Sequence, residues 1–403
     1  MTEYATSTPA PSVAARPGSP GEPGPGRLVY RIGMVGPSRV GKTSLITALL
    51  HDGQRLLEGT PISMKAIGTA TQKRLSQHRR ELDGSLLAGE FDAGALGGSQ
   101  DQFTFHLLLD TGVPDTGIEL QLLDYPGGWL DPHTRPAGVE AQWEECERFL
   151  EQCSVLIVPI DAAVLMEATT ASHLRAVPTV LGTPQVTDVV RTWLKRRNER
   201  PDEPALLLLC PVKCESYFDD NGGRRDLSAT LLQWVRRVYR SMIELVPNEA
   251  PDVRNMRAVY APVDTIGCVE ILRADWLPEP DEPGALTFMA HYGVRPPGER
   301  SVKGTEDIMI ALCRQLVAGR QKVEEREAGL RRQTADAAQT FAERDEGFFR
   351  NIWFLVTGER RLRADAARTS REEAIQAADR AQALTGIVES LSRRAHSERV
   401  HQW

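Results

Sequence analysis

Eight residues constrain this chain more than any others: Gly36-Pro37-Ser38-Arg39-Val40-Gly41-Lys42-Thr43. They follow the apolar run Ile32-Gly33-Met34-Val35 and lead into Ser44-Leu45-Ile46-Thr47-Ala48-Leu49-Leu50, whose spacing predicts a helix. The pattern G-x-x-x-x-G-K-[ST] between a strand and a helix is that of a phosphate loop. Gly36 and Gly41 let the backbone curl until successive N–H groups face inward, and the helix N-terminus adds its positive field. Ser38, Arg39, Val40 and Ser44 complete the backbone and side-chain set around the phosphates. Lys42 is placed to reach the β- and γ-phosphates as a catalytic cation, and the Thr43 hydroxyl to ligate Mg²⁺.

The remaining runs alternate between strand and helix patterns. Strands are expected at Leu28–Val35, Phe103–Leu109, Ile118–Leu123, 154–161, 205–210 and 258–263, and the pair 103–109 and 118–123 reads as an antiparallel hairpin. Helices are expected to about Leu50 and over 64–87, 139–152, 185–197, 227–245 and 305–317. Such alternation predicts an α/β fold with a doubly wound, mostly parallel sheet and the ligand at the carboxyl ends of the strands. The spacing divides the chain into a Pro- and Gly-rich tail over 1–27, which has too little apolar surface to offset ordering entropy, a nucleotide domain over 28–320 and a helical arm over 321–403.

A second motif, Leu122-Leu123-Asp124-Tyr125-Pro126-Gly127, ends a strand in Asp-x-x-Gly. Downstream of a phosphate loop, Asp124 is expected to hold Mg²⁺ and the Gly127 N–H to sense the γ-phosphate. A hydroxyl that closes over the metal should precede the second strand; Ser99 has the spacing, with Thr69, Thr71 and Thr104 as rivals. The glycines of 94–98 suit a segment that orders only on the γ-phosphate.

With these motifs in order, the chain resembles GTPases of the Ras-like, translation-factor-related class. More narrowly, 123–130 and Pro211-Val212-Lys213-Cys214-Glu215 are similar to bacterial YcjX-like and double-GTPase predicted NTPases. The resemblance spans about 28–320 and implies a phosphate-loop G domain, with GTP and GDP as ligands and Mg²⁺ as cofactor; the residues at Gly128 and Arg39 add the expectation of slow hydrolysis that rises on self-association or partner binding. It places Lys213 and Glu215 at the base-reading motif. Val212 stands where the family has Asn or Thr, and Glu215 is one methylene longer than the usual Asp. A carboxylate there accepts from guanine N1–H and the 2-amino group, a donor pair that adenine lacks, so GTP is favoured over ATP. Tyr260–Gly267 falls in the position of the fifth, base-facing loop. Gly128 occupies the place of the Gln that orients attacking water in Ras-like enzymes. Arg39 sits where guanylate-binding proteins carry an arginine finger in cis, the other reading being a solvent-facing side chain. Two alternatives stay open: a nucleotide-binding scaffold without hydrolysis that acts through its arm, and an ATPase.

A net charge of −7 excludes a bulk nucleic-acid binder. The six cysteines form no CxxC pair, so they read as reduced thiols of a cytoplasmic protein. No apolar run reaches the ~18 residues of a spanning helix. In the arm, Phe348, Phe349, Ile352, Trp353 and Val356 share one face of a hairpin near its bend. That face is expected to pack on the domain, or to dock on an effector or a second copy, before any shallow membrane contact.

Overall fold

The computed structural model describes residues 28–58, 63–87, 90–91, 99–110, 118–201, 203, 205–250, 256–279, 282, 284–315 and 397–403. The tail over 1–27, the glycines of 94–98 and the arm over 321–396 lie outside the described residues.

Strand β1 (Leu28–Met34) runs into the phosphate loop and helix α1 (Lys42–Leu56). The segment expected as one helix over 64–87 is instead β2 (Ser63–Ala66) followed by α2 (Thr69–Leu87), with Gly68 at φ 81° making the break between them. The short β3 (Glu90–Phe91) precedes the hairpin β4 (Phe103–Asp110) and β5 (Ile118–Asp124), which pair antiparallel as expected. Next come α3 (Glu140–Gln152), β6 (Val155–Asp161), α4 (Ala162–Met166), α5 (Ala171–Val180), α6 (Thr183–Asn198) and β7 (Ala205–Val212). The helix expected over 227–245 is two, α7 (Ser228–Val238) and α8 (Arg240–Glu249), because the buried Tyr239 leaves helical geometry at ψ 15°. Strand β8 (Met256–Tyr260) is followed by a ribbon, β9 (Val269–Pro278) and β10 (Leu286–Val294), and by helix over 305–315. The last seven residues are not helical: a 3₁₀ turn at Ser397–Arg399 leads into β11 (His401–Gln402).

The main sheet has the order β11-β8-β7-β6-β1-β5-β4-β2. Strands β5, β1, β6, β7 and β8 are mutually parallel; β4, β2 and β11 join antiparallel at the edges. In β6, Leu156, Val158 and Ile160 pack with α3, α6 and α7, while Val155 and Ile157 pack with α1 and the 305–315 helix. Burial on both faces is why β6 and β7 read as unbroken apolar runs rather than alternating ones. The ribbon forms a separate small sheet, β3-β10-β9, which joins α2 through Leu82, Leu86, Ile266, Val269 and Tyr292. All six cysteines are buried and free. Among the described residues no helix is long and apolar enough to cross a membrane.

Leu208, fully buried in mid-β7, has close-packed neighbours on its face of the sheet. Leu208→Ala is expected to cost about 3 kcal/mol of stability, read as a lowered urea midpoint with an unchanged slope.

Candidate polyphosphate and metal site

The three central carboxyl ends, those of β1, β5 and β6, meet at the phosphate loop. Arg39 (φ 62°) and Gly41 (φ 103°) both take left-handed backbone, with Val40 between them buried. Alternation of this kind turns successive N–H groups to one side as an anion nest. Lys42 folds back into the curl, donating from Nζ to Gly36 O at 2.9 Å and Pro37 O at 3.0 Å. It is only 6% exposed, with its Nζ 5.3 Å from the centroid of the Tyr125 ring. Burial lowers its pKa to about 8, against the pull of Asp124, which raises it.

Asp124 joins two hydroxyls. Thr43 Oγ1 donates to Asp124 Oδ2 at 2.7 Å, Ser99 Oγ donates to the same oxygen at 2.5 Å, and the hydroxyls lie 3.3 Å apart. Asp124 is fully buried, and its other oxygen, Oδ1, has no hydrogen-bond partner. That orphaned oxygen beside two hydroxyls suits a hard divalent cation such as Mg²⁺, which takes one or two carboxylates and completes its shell with phosphate and water. Among the described residues no three His, Cys, Asp or Glu side chains form a metal cage. Of the rivals to Ser99, Thr71 is buried elsewhere and accepts from His106 N, Thr69 starts α2 and Thr104 lies within β4.

Gly127 backs the loop from behind. A Cβ there would fall 2.1 Å from Ser38 N and 2.2 Å from Pro37 C, so only glycine permits this approach. At Gly128 an added Cβ would make only an ordinary contact with Ser38 Oγ, at 3.9 Å, and Trp129 is turned into the core with Trp143. No side chain of 128–129 therefore faces the loop.

Lys213 and Glu215 diverge. Lys213, in left-handed backbone at φ 60°, donates from Nζ to Arg39 O at 3.1 Å and pairs with Asp161 at the end of β6. Asp161 in turn accepts from Ala163 N at the start of α4. Glu215 turns inward: 2% exposed, its Oε1 accepts from Ile266 N at 3.0 Å and Gly267 N at 3.2 Å. Its carboxyl and the neighbouring one of Asp264 are both pushed up by burial. Arg39 is exposed and borders a cavity of about 680 Å³ between the loop and β10, lined also by Ser38, Asp161 and His291.

Two participants were not singled out from the sequence. Asp161 is recognisable as an acid at a parallel strand's carboxyl end. His78 of α2 has no such signal, yet its buried Nε2 lies 3.4 Å from Ser44 Oγ, beside the loop.

No family model matches the chain, and no curated protein does. Among solved structures it is similar to the GTPase-like domain of S. cerevisiae Ski7 bound to GTP (16% identity, TM-score 0.33) and to the same domain bound to GDP and inorganic phosphate (15%, 0.34). Each match covers 59% of this chain and 43% of the Ski7 chain, less than half of that structure.

Gly127→Ala must displace the loop backbone that the added methyl would strike. It is expected to lower stability by about 2 kcal/mol in urea denaturation, whereas Gly128→Ala, whose methyl meets only Ser38 Oγ at 3.9 Å, leaves the midpoint unchanged.

Proposed function

We propose that the chain is a nucleotide-dependent switch that binds GTP with Mg²⁺ and hydrolyses it slowly. The observation that carries this is the Thr43–Asp124–Ser99 cluster with an orphaned carboxylate oxygen, facing a loop curled around a buried lysine. Gly36, Ser38, Arg39, Val40, Gly41, Lys42, Thr43 and Ser44 hold the phosphates through backbone N–H groups and the Lys42 ammonium. Thr43, Ser99 and Asp124 would hold the metal, which would supply charge neutralisation for the phosphates.

Beyond the phosphates, Lys213 braces the loop through Arg39 O, and Glu215 holds the buried 264–267 loop through the amides of Ile266 and Gly267. Because Glu215 is buried and spent on those amides, it does not reach a base edge, and the preference for GTP rests on the resemblance rather than on this carboxylate. Slow turnover follows from Gly128 and Trp129, which offer no side chain to orient water. The same observation favours the second reading, a switch that binds without hydrolysing. The exposed Arg39 borders an open cavity, which leaves room for a second copy or an effector to press its guanidinium toward the transferring phosphoryl group.

Two outcomes test this. Lys42 loses its proton as pH rises through about 8, and bound polyphosphate favours the charged form, so GDP should bind about tenfold more weakly at pH 9 than at pH 7. In Lys42→Ala that dependence should vanish. Phosphate release per molecule should rise with protein concentration, and Arg39→Ala should remove at least about tenfold of it; release unaffected by Arg39→Ala at every concentration excludes the finger.

A further inference from the structure

The cavity of about 680 Å³ beside the phosphate loop has Ser38, Arg39 and Val40 in one wall and strand β10 in another. Residues 285–292 line it in unbroken succession, whereas no residue of β9 does. Successive side chains of a strand point to opposite faces, so a space that touches every residue meets the strand on its edge rather than on a face. On one side β10 pairs with β9 from Leu286 to Val294; on the other it pairs with β3 at Tyr292 and Gly293 alone. Among the described residues the edge over 286–291 therefore has no strand partner, and alternate residues turn main-chain N–H and C=O groups toward the cavity.

The ribbon that supplies this edge is anchored. Trp276 of β9 stacks on His173 of α5 with ring centroids 4.9 Å apart, meets Phe288 of β10 at 5.0 Å and donates from Nε1 to Glu167 O at 3.1 Å. A wall braced in this way needs little ordering to receive a ligand, and the volume falls within the roughly 300–1,000 Å³ of small-molecule sites. Its charge is divided. Arg39 and Lys213 border the cavity at the phosphate loop, while Glu279 and Glu282 border it at the turn of the ribbon. Those carboxylates repel a further phosphate, yet they can accept from the hydroxyls of a sugar.

We infer that this cavity receives the nucleoside: with the phosphates in the loop, sugar and base lie between the loop and β10, and the polar edge of the base pairs with the main-chain edge over 286–291. The inference rests on the reading of the loop as a polyphosphate site and does not depend on which base is bound. It gives the base a place although Glu215 is spent on Ile266 N and Gly267 N. The ribbon, which stands outside the main sheet, thereby becomes part of the nucleotide site.

Calorimetric titration of the full chain with GDP and with pyrophosphate, its equal in phosphates, isolates the nucleoside. The unmodified chain should bind GDP at least about tenfold more tightly than pyrophosphate. Thr287→Trp, which fills the cavity from β10, should remove most of that advantage and leave pyrophosphate affinity unchanged. Leu277→Trp, opposite Thr287 on β9 and off the cavity lining, should change neither. Irradiating the unmodified chain with 8-azido-GTP, a readout that needs no variant to fold, should label residues 285–292. A GDP advantage that survives Thr287→Trp, or a label absent from 285–292, overturns the inference. If the unmodified chain binds pyrophosphate but GDP no more tightly, the loop reading stands and the nucleoside site falls; if it binds neither, the polyphosphate reading fails and the inference with it.

Discussion

Lys42 carries an ammonium into a place where water barely reaches it, and such a group costs several kcal/mol unless its surroundings replace the lost hydration. Here two main-chain carbonyls, Gly36 O and Pro37 O, face of the Tyr125 ring and the nearby Asp124 carboxylate supply that replacement. The loop is bent so that its carbonyls serve the lysine while its N–H groups turn the other way. Left-handed backbone at Arg39 and Gly41 makes the bend, Gly127 closes on it from behind, and Lys213 takes the Arg39 carbonyl from outside. On the proposed reading, an incoming polyphosphate would meet a cation already in position, leaving little reorganisation for binding.

The parallel sheet brings these parts together. With β1 between β5 and β6, the loop after β1 is flanked by Asp124 at the end of one neighbour and Asp161 at the end of the other. The two acids do different work. Asp124 gathers hydroxyls around a vacant carboxylate oxygen, whereas Asp161 is consumed by Lys213 and the start of α4. On the proposed reading, charge at one strand end is kept for a ligand, while at the other it stiffens the frame.

Much of this was legible in the residue order, because the phosphate loop and the Asp-x-x-Gly turn are local patterns and β6 and β7 are apolar throughout. Ser99 could be named from spacing, and the geometry sets its hydroxyl on Asp124. What escaped has physical reasons. Four-residue β2 merges into the charged pattern of α2, and β9 interrupts its alternation with Arg273 and Asp275 on a half-exposed ribbon. A two-residue strand such as β11 has no period to read. Glu215 shows the hardest limit: its side chain answers to amides 51 and 52 residues away, so spacing gives the carboxylate but not its direction.

The central claim is that Asp124, with Thr43 and Ser99, completes a metal site only when a triphosphate lies in the loop. Affinity for a non-hydrolysable GTP analogue, measured with Mg²⁺ and with EDTA for the unmodified chain and for Asp124→Ala, addresses it directly. The account predicts at least about tenfold tighter binding with Mg²⁺ in the unmodified chain and no metal effect in the variant. Equal affinity with and without Mg²⁺ in the unmodified chain, or a full metal effect surviving in Asp124→Ala, would contradict it.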